Sequence, residues 1–226
     1  MNFSHQSYRS TAFRPTPLIH LEDGGDLIII ATAWGSKDGA QKAIDTILEF
    51  YFSIQDDLEI TSPFENLDCM SMKANHLRTS LRLANDVLRK EYNSDSFQTG
   101  VELFIGLRNQ HDFIWTQIGQ PHILLSRQNH NLSPINLKYD LSLDYSTGMQ
   151  QLVPLPSELL GIYNTTQFQV NSLKPRATDR LILLSGPRIP CEMLQVVHSD
   201  VELNTLVKTL SSEQPNLPFW IGLLNL

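Results

Sequence analysis

Two short, unbroken apolar runs limit what this chain can fold into more than any other feature. The first is Leu27-Ile28-Ile29-Ile30-Ala31-Thr32-Ala33 and the second is Leu181-Ile182-Leu183-Leu184. Both are far too short to cross a bilayer and the first is rich in β-branched residues, so each is predicted to be a buried strand. After Trp34-Gly35-Ser36 the first run gives way to helical spacing. Ala40, Ala43, Ile44, Ile47, Leu48 and Tyr51 form a stripe, with Ser36 placed to cap the helix and Asp38 favourable in its first turn. A second helix is predicted over 73–92, with Ala74, Leu77, Leu81, Ala84 and Leu88 on its apolar face. Arg78, Arg82, Arg89 and Lys90 lie mainly off that stripe and read as a solvated face.

The middle of the chain changes character. Segments 100–107, 113–118 and 123–127 are short strands separated by polar or glycine-containing turns, the spacing of antiparallel hairpins in a meander. The acids and Pro63 in 56–66 mark a loop, and 153–156 must be extended because each proline disfavours helix at the residue before it. Phe168-Gln169-Val170 is strand-like, 200–210 carries Leu203, Leu206, Val207 and Leu210 at helical spacing, and 219–224 is a closing strand. The start of the chain is polar, with Pro15 and Pro17 holding it extended. No repeat, low-complexity linker or charge block marks a boundary, so residues 1–226 are expected to form a single domain.

With 41% hydrophobic and 18% charged residues the chain is of globular type, and at 226 residues it can bury a sizeable core. The net charge of −7 without a lysine or arginine cluster argues against nucleic-acid binding. No segment has the length and apolarity of a membrane span or signal peptide, so a cytoplasmic location is expected. Cys69 and Cys191 fit no CxxC pattern and are expected to be buried free thiols. Phosphate-binding loops of the GxxxxGK[ST] and GxGxxG types, HExxH and GxSxG are all missing. The seven histidines are scattered, and the His111-Asp112 pair reads as a loop or edge feature. Asp23, Asp26, Asp56 and Asp57 fall in turn-like segments, and Asp179 is placed to fix a turn by accepting backbone N–H bonds.

The order of these elements resembles the PPM (PP2C-like) superfamily of metal-dependent protein phosphatases. Ile29-Ile30-Ala31-Thr32-Ala33-Trp34-Gly35 is similar to the family's first buried strand and its Asp-Gly turn, with Trp34 in the place of the aspartate. Residues 113–125 resemble a strand–glycine–strand segment in which Gln120 follows the glycine where Asp or His is frequent. Residues 155–162, then Leu173-Lys174-Pro175 and Asp179-Arg180-Leu181-Ile182-Leu183-Leu184-Ser185, resemble the Leu-Gly element and the Gly-Asp-Arg-Leu strand that leads to Ser-Asp-Gly; here Gly186 follows Ser185. Residues 215–224 are similar to the closing Asp-Asn-hydrophobic strand, with Pro215 or Asn216 in the aspartate position. The match runs from about Asp26 to the C-terminus, and the short span between Lys138 and Gly161 brings it nearer the sporulation-type (SpoIIE-like) branch.

The resemblance implies an α+β fold, a four-layer αββα sandwich of two antiparallel sheets packed face to face and flanked by helices. It also implies hydrolysis of phosphoserine or phosphothreonine by water bridging two Mn²⁺ or Mg²⁺ ions. Hard divalent ions need several oxygen ligands, and the degenerate family-site positions Trp34, Gly35, Gln120, Gly186 and Asn216 supply none of the carboxylates. The expectation is therefore a pseudophosphatase with no catalytic, cofactor or metal residues, binding a protein partner such as a phosphoprotein or signalling complex. Trp34 either fills the space of the ions or anchors that partner. The alternative is an active phosphatase that holds a displaced metal through Asp23, Asp26, Asp38 or Asp179, or a hydrolase of another mechanism; a further alternative is an unrelated α/β binding module.

Overall fold

A computed structural model describes residues 1–9, 13–56, 64–109, 111–144 and 154–226. Its strands form two five-stranded antiparallel sheets, each the centre of a compact unit. One unit comprises residues 17–118 and 158–173, the other residues 1–16, 119–157 and 174–226.

In the unit of residues 17–118 and 158–173 the sheet order is β2 (Leu18–Leu21), β3 (Leu27–Gly35), β4 (Thr99–Asn109), β5 (Asp112–Ile118) and β8 (Val170–Leu173). The first apolar run is the second strand in this order. Leu27, Ile29 and Ala31 face α1 (Asp38–Asp56) and α2 (Met72–Tyr92), while Ile28 and Ile30 on the other face are buried as well. Burial of both faces is why this strand is apolar throughout rather than alternating. The helical stripes meet that sheet as expected: Ala40, Ala43, Ile44 and Ile47 from α1 and Ala74, Leu77, Leu81, Ala84 and Leu88 from α2 share one core with Val101, Leu103 and Ile105. Ser71 caps α2 by accepting the Ala74 N–H at 3.2 Å. Arg78 and Arg82 are more covered than a solvated face requires, since Arg78 donates to the Glu65 carbonyl at 2.8 Å and Arg82 lies 5.2 Å over the Phe64 ring.

In the other unit the order is β1 (Asn2–Tyr8), β10 (Phe219–Asn225), β9 (Arg180–Ser185), β6 (His122–Ser126) and β7 (Ser133–Asn136). Leu124, Ile182, Leu184, Phe219, Ile221 and Leu223 pack with Leu206 and Leu210 of α4 (Leu203–Glu213) and Met193 of α3 (Cys191–Leu194).

Four expectations need correction. The middle strands are not one meander: β5 pairs with β4 and β8, whereas β6 pairs with β9 and β7, so Gly119 at φ +63° carries the chain from one sheet into the other. The start of the chain, read only as polar and extended, contains a strand, Asn2–Tyr8; an edge strand paired on one side only, β1 on β10, shows no apolar pattern. The last strand of the 17–118 sheet is Val170–Leu173, two residues beyond the start expected from Phe168. Cys69 and Cys191 are exposed, Cys69 in the turn before α2 and Cys191 at the first residue of a four-residue helix. The expected loop over 56–66 and the extended segment from 153 fall partly outside the described residues.

Candidate functional site

The family-like positions are divided between the units, Trp34 and Gly35 in one and Gln120, Gly186 and Asn216 in the other. Trp34 and Gly35 end β3, opposite Gly100 and Thr99 of β4. Gly35 adopts φ +107°, and a Cβ there would overlap the Gln98 carbonyl oxygen, so the chain turns where only glycine fits. The turn is held from behind. Ser36 donates its N–H to the Gln98 carbonyl at 2.9 Å and Thr99 Oγ1 donates to the Ser36 carbonyl at 2.9 Å. Asn93, at the end of α2, fixes that partner strand with one carboxamide: Nδ2 donates to the Thr99 and Gly161 carbonyls at 2.7 and 2.9 Å, and Oδ1 accepts from the Gln98 and Thr99 N–H groups at 2.8 and 3.2 Å. Truncating it in Asn93→Ala is expected to cost about 2 kcal/mol in urea unfolding, since four modest bonds go and two backbone donors lose their partner.

Trp34 neither fills an apolar void completely nor stands free. It is half-buried and its Nε1–H donates to Oε2 of Glu102 at 2.9 Å; Glu102 is 2% exposed on β4. Sequence reading passed over Glu102 because a single acid inside an apolar strand carries no motif. Its carboxylate accepts the Trp34 indole N–H, and an indole N–H has no lone pair to give a metal ion.

In the other unit Gln120 and Gly186 meet each other. Gln120 Nε2 donates to the Gly186 carbonyl at 2.8 Å, and His122 Nε2 reaches the same oxygen at 3.0 Å. His122 Nδ1 accepts the Lys138 N–H at 3.1 Å, which leaves the ring proton on Nε2 and fixes the imidazole as a neutral donor. Burial lowers the His122 pKa, and Arg14 adds to this, against opposing effects of the Gly186 bond and Asp140. Below about pH 6.5 the unfolded chain takes up a proton that the folded one resists, so stability present above that value is lost as pH falls. His122→Gln, which cannot charge, is expected to flatten the loss of stability seen between pH 7.5 and 5.5 in urea titrations. Arg14 and Asp140, both buried, face each other at 3.7 Å, and Asp140 Oδ1 also accepts from Ser142 N and Leu155 N. Asn216 is exposed in the turn before β10.

The acids proposed as substitutes do not gather. Asp23 and Asp26 precede β3 and Asp38 follows it, so a strand of nine residues keeps them roughly 30 Å apart. Asp179 is committed: Arg127 Nε and Nη2 grip both its oxygens at 2.5 to 3.2 Å, and the Arg176 N–H adds a bond at 2.9 Å. The turn-fixing role expected of Asp179 is thus what its contacts show. Among the described residues no group of three or more His, Cys, Asp or Glu is arranged to hold a metal ion. Nor is any described helix long and apolar enough to cross a membrane.

Solved structures align over the whole chain. The serine/threonine phosphatase PstP/Ppp of Mycobacterium tuberculosis matches with a TM-score of 0.64 at 15% identity, covering 100% of this chain and 98% of that one. The PPM Ser-Thr phosphatase MsPP of Mycobacterium smegmatis gives 0.65 at 12% identity over 100% and 98%. This chain has the PPM phosphatase fold. A third PPM-fold match, PppA of Pseudomonas aeruginosa, described as a key regulatory component of T6SS, gives 0.66 at 14% identity over 100% and 97%. No protein-family profile and no curated protein sequence matches the chain. The PPM fold is therefore established by shape at identities that carry no residue-level correspondence. A PstP catalytic domain is described in complex with two manganese ions, and indole, carboxamide and glycine are not the oxygen-rich donor set that such hard cations take.

Proposed function

We propose that this protein is a PPM-fold pseudophosphatase, a scaffold that binds a protein partner such as a phosphoprotein or a signalling complex and does not hydrolyse phosphate. The observation that carries this reading is the commitment of the family-like positions to internal bonds: the Trp34 indole to Glu102, and Gln120 with His122 to the Gly186 carbonyl. Phosphoryl transfer in this fold family depends on paired cations that activate water and neutralise charge, and none of Trp34, Gln120 and Gly186 brings a side-chain carboxylate to hold them. A domain whose strand ends are tied by internal hydrogen bonds keeps its shape without metal, which suits a binding role.

The test is calorimetric titration of chelator-treated protein with Mn²⁺ and Mg²⁺, with p-nitrophenyl phosphate and phosphopeptide hydrolysis measured in parallel. No metal-dependent turnover is expected, and turnover that requires either ion would overturn the reading. A gain of function sharpens it. Trp34→Asp sets a second carboxylate beside Glu102, so millimolar Mn²⁺ is expected to raise the melting temperature of this variant by several degrees and leave the parent unchanged. Equal shifts in both would show that Mn²⁺ binds somewhere other than this pair.

A further inference from the structure

The hairpin turn between β6 and β7 and the segment after α3 enclose an open cleft of about 470 Å³ whose residues are none of those described above. Its walls include His130 and His198 together with the carboxamides of Gln128 and Asn129. Asn131 forms an antiparallel bridge with Val197, and Leu132 donates its N–H to the Val196 carbonyl at 3.3 Å. That pairing brings the bend at His130 alongside His198, the first residue of a 3-10 turn. Both imidazoles line the same cleft from these two neighbouring segments, one ring from each side. The second ring is already oriented: Nδ1 of His198 lies 2.8 Å from Oγ of Ser126, a side chain that is fully buried. A hydroxyl accepts from Nδ1–H as readily as it donates, and in that tautomer the lone pair is on Nε2. This is the arrangement metal-binding histidines use, one nitrogen on the ion and the other anchored behind.

We propose that His130 and His198 form a two-imidazole site for a borderline-soft divalent ion, with Zn²⁺ as its type, which water and a Gln128 or Asn129 carboxamide oxygen complete. Imidazole selects such ions over Mg²⁺, and no carboxylate among the cleft walls would favour a hard cation. Arg127, just before the cleft residues, is neutralised by Asp179, while Arg180 is held on the Val201 carbonyl. The site does not depend on the pseudophosphatase reading, and either can fail alone.

The test is calorimetric titration of the untagged full chain with Zn²⁺ in a Cys69→Ser/Cys191→Ser background, which removes the two exposed thiols as competing ligands. One Zn²⁺ per chain is expected. His130→Ala, at an exposed position that does not threaten folding, and His198→Ala should each weaken binding at least about 100-fold. Ser126→Ala should weaken it about 10-fold by releasing the ring, and Mg²⁺ at equal concentration should not compete. No Zn²⁺ binding, or binding that His130→Ala leaves intact, overturns the proposal.

Discussion

Gly35→Ala is expected to lower unfolding stability by about 4 kcal/mol, the combined cost of a left-handed backbone and an overlap with backbone atoms. At φ +107° an L side chain is strained, and the added methyl would meet the Gln98 carbonyl, which cannot swing away because Asn93 holds the Gln98 and Thr99 N–H groups. Relief can come only by displacing the β3 end, and Trp34 with it. The matched control is Gly24→Ala, where an added Cβ meets nothing within 4 Å and the change is expected to fall within about 0.5 kcal/mol of zero. Urea unfolding of both variants decides it. If the two cost the same, the turn is not held as described.

Asp179→Asn is expected to cost about 3 to 4 kcal/mol at pH 7, because it leaves the Arg127 guanidinium facing an amide instead of a buried carboxylate. Asp179 is 1% exposed and joins the entry of β9 to the residue after β6, two neighbouring strands of one sheet. Burial alone would raise its pKa, but the Arg127 hydrogen bonds, the Arg176 N–H and the charges of both arginines outweigh that and hold it below 3.8. The folded carboxyl keeps its charge to lower pH than the unfolded one, so the stability it contributes is complete above the ordinary aspartate range and lost as pH falls through the folded value. The difference between parent and variant should thus be full at neutral pH and shrink toward pH 2. A difference that stays constant with pH would mean that the ion pair is not its source.

Much of the frame was legible because it rests on local physics. A seven-residue apolar run rich in β-branched side chains suits a strand buried on both faces, and residues 27–32 are buried in one. The 3.6-residue stripes of α1 and α2 named the core residues that meet the sheet, since side-chain direction along a helix follows from spacing alone. The succession of those elements also pointed to the PPM fold. Less was legible where pairing rather than pattern decides. Strands β5 and β6 look alike in sequence, and which sheet each joins depends on partners far along the chain, β8 for one and β9 for the other.

The candidate sites divide the same way. Sequence determined which chemical groups stand at positions 34, 120 and 186: an indole, a carboxamide and a bare backbone. Tertiary structure decided what those groups do: Glu102, His122 and Asn93 belong to no motif, and became visible only when the fold brought an indole to a buried acid, an imidazole to a glycine carbonyl and a carboxamide to four backbone groups. The reason is physical. Backbone propensity and apolar periodicity act over a few residues and are written in their order, whereas a hydrogen bond between residues 34 and 102, or 122 and 186, exists only after the sheets have brought distant strands into register.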